Sequence, residues 1–150
     1  EMKLVDTLSL VEHQSATGTL QAQSELLLNS QPTGIIIPGS VLEAAVEVSA
    51  RRYLLFVTDG NVFEESLTLA LCQLERGILE IFHIGLAYHS GQFNKLILCD
   101  EHIRFHFIDE VSWTLQVADM AQTTLPFIGD PVGVQRRPRF KKWITITHGS

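Results

Sequence analysis

Hydrophobic and polar positions alternate most cleanly in the second half of the chain. Val111, Trp113, Leu115 and Val117 alternate with Ser112, Thr114 and Gln116, and Ile103, Phe105 and Phe107 alternate with His102, Arg104 and His106. This is the period of strands with one dry and one wet face. His89-Ser90-Gly91, Asp100-Glu101 and Asp109-Glu110 separate apolar runs at Phe93 to Cys99, His102 to Ile108 and Val111 to Val117. Breaks of two or three residues can join only antiparallel neighbours. Upstream, Tyr53 to Val57 runs into the turn signal Asp59-Gly60-Asn61 and an apolar stretch resumes at Val62, which predicts a hairpin. Leu67 to Leu74 reaches Glu75-Arg76-Gly77, and Ile78 to Ile84 follows. Leu67, Leu71 and Leu74 also fit a helical stripe, but the alternation of Leu67, Leu69 and Leu71 favours a strand. Trp143 to Thr147 closes the series as a last strand.

Helix signals are fewer. Ser40 and Glu43 match a capping box, so residues 40–50 are predicted as a short helix, against which Val46 and Val48 argue. Met2 to Val11 places Leu4, Leu8 and Val11 on one helical face, although Leu8 and Leu10 also alternate. Ile35 to Ser40 then reads as strand, turn and helix start, an anion site in principle. No phosphate-binding glycine motif supports that role. Residues 119–138 contain Pro126, Gly129, Pro131, Gly133 and Pro138, which predict a long surface loop and a candidate functional segment. The expected architecture is a β-dominated α+β domain. A mainly antiparallel meander forms a sandwich or partly open barrel, with one or two short helices. Residues 1–150 form one domain on this reading, with Glu1 ahead of Met2 and the final Gly149-Ser150 taken as cloning additions.

At 150 residues, 45% hydrophobic and 19% charged, the composition excludes a disordered chain. There is no run of 18 apolar residues and no basic start followed by an apolar stretch, so a cytoplasmic location without a membrane partner is expected. Cys72 and Cys99 are too few for a disulfide framework and lack the CxxC spacing, so both are expected as reduced thiols. The net charge of −6 argues against general nucleic-acid binding. That total conceals a segregation. All 17 acidic residues lie in residues 1–135, which carry −11, whereas residues 136–142 carry +5.

Arg136, Arg137, Arg139, Lys141 and Lys142, with Trp143 beside them, therefore form the most distinctive local feature. Such a segment grips an acidic partner or nucleic acid, or it lies against the protein's own acidic surface. No metal is expected: His83, His89, His102 and His106 are the candidate ligands, but they read first as polar-face residues of the kind that alternate with Ile103, Phe105 and Phe107. His102 and His106 share a face, yet about 13 Å separates their Cα atoms at strand rise, too far for chelation by that pair alone. Asp100-Glu101 and Asp109-Glu110 sit at turns, where they serve as solvated charges or as a negative rim for a basic partner. No catalytic set converges, no cofactor is implied, and neither cysteine sits in an electropositive stretch. The function expected is a non-catalytic protein-binding module of inhibitor or immunity type that presents an acidic face. The alternative is a small-ligand-binding barrel or sandwich with weak or unrecognised enzymatic activity, whose cavity is lined by Phe82, Tyr88, Phe93, Phe105, Phe107 and Trp113. A homodimer is a further option.

Overall fold

The computed structural model describes residues 2–13, 23–58, 66–85, 92–107, 111–123, 130–131, 133–136 and 141–149. Among these residues there are strands and turns and no helix. The strands are β1 (Lys3–Leu4), β2 (Leu8–His13), β3 (Gln23–Leu28), β4 (Gln31–Pro38), β5 (Val41–Ser49), β6 (Arg52–Thr58) and β7 (Leu67–Gln73). They continue as β8 (Gly77–Ile84), β9 (Asn94–Leu98), β10 (Ile103–His106), β11 (Ser112–Thr123), β12 (Val134–Gln135) and β13 (Lys141–Gly149). Three antiparallel sheets result, in the orders β1-β5-β6-β7-β8-β12, β13-β11-β10-β9 and β2-β3-β4.

The six-stranded sheet lies in the middle. In β6, Leu54 and Phe56 pack against Ile103, Phe105, Leu115, Ile144 and Ile146 of the four-stranded sheet. Their neighbours Tyr53, Leu55 and Val57 pack instead against Leu8, Leu26, Ile35 and Ile37 of the three-stranded sheet. β7 divides in the same way, with Leu67, Leu69 and Leu71 on one face and Ala70 and Cys72 on the other. Successive side chains of a strand point to opposite faces, so an uninterrupted apolar run such as Tyr53 to Val57 is what a strand covered on both sides requires. The two outer sheets need only one dry face. Alternation is accordingly clean in β10 and β11, where Ile103, Phe105, Trp113 and Leu115 are buried and Arg104 and Gln116 are exposed.

The β-rich, antiparallel sandwich agrees with the sequence pattern, while the expected helices do not form. Residues 40–50 hold β5, because Ala45 and Val46 face opposite cores and an alternating burial fits only a strand. The capping-box Glu43 instead accepts a hydrogen bond from Thr58 Oγ1 at 2.7 Å across the β5–β6 pair. With no helix start at Ser40, the anion site imagined there has no basis, and Ile35 to Ser40 is a strand and a turn into the next strand. Met2 to Val11 is likewise no helix. Its residues supply β1 and most of β2, and Leu8 and Leu10 face the central sheet. The expected loop at 119–138 is shorter than the prolines suggest, since β11 runs on to Thr123 and β12 occupies Val134–Gln135. The Asp59-Gly60-Asn61 turn lies outside the described residues.

Candidate functional site

Two arginines tie the central sheet to the four-stranded sheet, and between them they decide which charges remain available. Arg136 follows β12 and reaches across β8. Its Nη1 donates to Glu80 Oε1 and to the carbonyl of Ile144, each at 3.2 Å, and its Nη2 donates to Asp130 Oδ1 at 3.0 Å. The guanidinium also lies 4.7 Å from the centroid of the Phe82 ring. Glu80 is only 2% exposed and accepts the backbone N–H of Ile144 through Oε1 at 2.9 Å. A carboxylate at an inward position of β8 therefore satisfies part of the edge of β13, beside which no further strand lies among the described residues. Arg52 does the equivalent at the start of β6. Its Nη1 donates to the Asp119 carbonyl at 2.9 Å, its Nη2 to Gln73 Oε1 at 3.0 Å, and its guanidinium stacks 4.6 Å from the Trp143 ring centroid.

Beside Arg52 lies a cleft of about 590 Å³ between the central and four-stranded sheets. Met2 and Val48 line it from one side and Val117 and Met120 from the other, and the acidic residues Asp100, Glu101 and Asp119 join Arg52 in the lining. An irregularity in β11 creates the opening. Val117 pairs with Ile144 and Gln122 with Lys142, so five residue steps of β11 oppose two of β13. The surplus residues bulge away from the ladder and turn Met120 outward, where it is 71% exposed.

The sequence candidates separate on this framework. Asp100 and Glu101 are exposed in the β9–β10 turn at the cleft, whereas Asp109, Glu110, Arg137 and Arg139 lie outside the described residues. Lys141 begins β13, although its side chain is also outside the description. Lys142 pairs in register with Gln122, and Trp143 is half-buried against the main core. His83 bonds Thr68 Oγ1 through Nδ1 at 2.9 Å on the face of the central sheet turned to the three-stranded layer. His102 and His106 flank the inward Ile103 and Phe105 and so belong to the outer face of the four-stranded sheet, a layer away from His83. His89 is outside the described residues. Among the described residues no group of three or more His, Cys, Asp or Glu is placed to hold a metal. Phe82, Phe105, Phe107 and Trp113 are core side chains, and Phe93 stacks on Phe56 and Phe105 with centroids 5.0 and 5.5 Å apart. None of these aromatics lines the cleft, and Tyr88 is outside the description.

Arg52, Asp119, Met120 and Glu80 escaped the pattern reading. Only Glu80 left a local trace, as a charge set between the apolar Leu79 and Ile81. The thiols differ in availability. Cys72 is buried, and burial pushes its thiol up to about 12 from an ordinary 9.0. Cys99 is half-buried. A thiol reagent at pH 8 is expected to modify Cys99 alone in the folded protein and both after denaturation. Two fast-reacting thiols in the native chain would contradict this. Because the unfolded chain releases the Cys72 proton above 9.0 and the folded chain holds it to about 12, stability should fall as pH rises through that window.

Compared with known proteins, the chain matches no family model, no curated protein and no solved structure. Among the described residues no helix is long and apolar enough to cross a membrane.

Proposed function

We propose that this chain is a non-catalytic binding protein that recognises a protein partner through an acidic face, in the manner of an inhibitor or immunity protein covering a cationic surface. The observation that supports the reading is the placement of charge. Asp100, Glu101 and Asp119 converge on one cleft, while Arg136, the first cation of the basic segment, is engaged within the fold by Glu80 and Asp130. The −11 carried by residues 1–135 would steer a basic partner, and steering raises association rates in a salt-dependent manner. The test compares the wild-type chain with one carrying Asp100→Asn, Glu101→Gln, Asp109→Asn and Glu110→Gln. A partner bound by the first is expected to associate more slowly with the second, and the difference should shrink as salt rises. Equal association rates at low salt would refute the acidic-face reading.

A further inference from the structure

We infer that the cleft between β5–β6 and the bulge of β11 is a receptor for a lysine or arginine side chain flanked by apolar residues, presented by an extended segment of the partner. This rests on the acidic-face reading and adds where on that face the partner is anchored, and by what chemistry. The lining is divided in a way that suits such a side chain. Met2, Val48 and Val117 offer an apolar surface, and the acidic residues Asp100, Glu101 and Asp119 line the same cleft. Long cationic side chains lay their methylene stems on apolar surface and keep the charged head among polar groups, so one residue type uses both parts. The volume of about 590 Å³ accommodates more than one side chain, which leaves room for an apolar neighbour.

The cation in the cleft does not cancel this preference. Both terminal nitrogens of Arg52 are bonded, to the Asp119 carbonyl and to Gln73, and its flat face covers Trp143. The Asp119 carbonyl is thus engaged while its exposed carboxylate is not the group Arg52 contacts. An anionic occupant would meet three carboxylates and one arginine already holding protein acceptors. The apolar element is equally specific in chemistry. Met2 and Met120 are the two methionines of the chain, and both line this cleft. An unbranched, polarisable thioether adapts its shape to varied apolar neighbours. The β11 bulge is what places Met120 and Asp119 side by side at the opening.

The test selects a displayed library of random decapeptides on the full chain and then measures a selected peptide by fluorescence anisotropy. Enriched peptides are expected to pair Lys or Arg with an adjacent Leu, Met or Phe. Asp100→Asn with Glu101→Gln should weaken binding about tenfold, as expected for two exposed charge pairs. Met120→Gln, at an exposed position that the fold does not need, should weaken it about fivefold through lost apolar contact. Glu12→Gln, at an exposed position near the end of β2, should change nothing. If basic peptides lacking apolar residues are enriched, and binding responds to the carboxylates but not to Met120→Gln, the cleft assignment is overturned while the acidic-face reading stands. Enrichment of uncharged peptides, or binding indifferent to Asp100 and Glu101, overturns both. A library from which nothing is enriched overturns the cleft assignment.

Discussion

Replacing Glu80 by alanine is expected to destabilise the protein by about 3–5 kcal/mol, as is usual when one partner of a buried ion pair is removed. Glu80 is 2% exposed and Arg136 only 11% exposed in its side chain. The variant would leave the guanidinium facing Phe82 with Asp130 as its remaining carboxylate, and would strip the Ile144 N–H of its acceptor inside the interface. Arg136→Ala is expected to cost a similar amount for the converse reason, since the buried Glu80 carboxylate would lose the Arg136 guanidinium. Chemical denaturation of the two single variants and the double variant gives the coupling. The double variant should fall short of the sum, because the Glu80–Arg136 contact is already lost in either single variant and is counted only once in the double. Additive losses would show that the two side chains act independently and that the seam between the sheets lies elsewhere. Glu80→Gln is expected to lose less than Glu80→Ala, because an amide oxygen still accepts from Ile144.

The second large effect concerns neighbours in β6. Phe56→Ala should cost about 3–5 kcal/mol and Leu55→Ala about 2–5 kcal/mol. Phe56 packs against the four-stranded sheet, with Phe93 and Phe105 at ring-centroid distances of 5.0 and 5.4 Å. Leu55 is fully buried against the three-stranded sheet on the other side. In a sandwich of two layers one of two adjacent strand residues points to solvent, and its truncation is nearly neutral. Losses of comparable size at both positions therefore report the third layer. If Leu55→Ala changed the denaturation midpoint no more than a surface substitution does, the three-stranded sheet would not be a cover of this core.

Strands β6 to β11 and β13 are legible in the amino-acid order because their signals are local. Alternation, continuous apolar runs and two-residue polar breaks are properties of neighbouring residues. The misreadings have local causes too. Around β5, Ser40, Glu43, Ala44, Ala45 and Glu47 favour a helix by propensity and capping. Pairing with β1 and β6, and a core on each side, outweighs a preference worth fractions of a kcal/mol per residue. The β3–β4 hairpin had a faint signal in Asn29-Ser30. Both adopt positive φ, at 50° and 65°, as tight hairpin turns demand, but without the glycine that usually marks them. In β11 the prolines further along mask the strand character of Ala118 to Thr123, whose irregular pairing forms one wall of the cleft.

The candidate site was legible in part. Asp100-Glu101 stands out as a polar break between strands, and it does reach the cleft. Its companions Asp119, Met120 and Met2 come from segments distant in the chain, and no spacing rule joins them. The basic segment was equally visible, but the direction of Arg136 was not. A charge run records how many cations are near one another in sequence. It does not record whether a carboxylate on another strand, here Glu80, is held dry enough to draw one of them inward.

By itself, the sequence determined a succession of antiparallel strands and a segregation of charge, since both depend on residues a few positions apart. Periodicity says which side of a strand is dry. It is silent on what dries it, because the covering side chains come from elsewhere in the chain. Only the tertiary structure decided that the central sheet is covered twice, that Glu80 and Arg136 meet at the edge of β13, and that three acidic residues share a cleft with two methionines. Each of these depends on contacts between strands far apart in sequence, whose free energy arises only once the layers have packed.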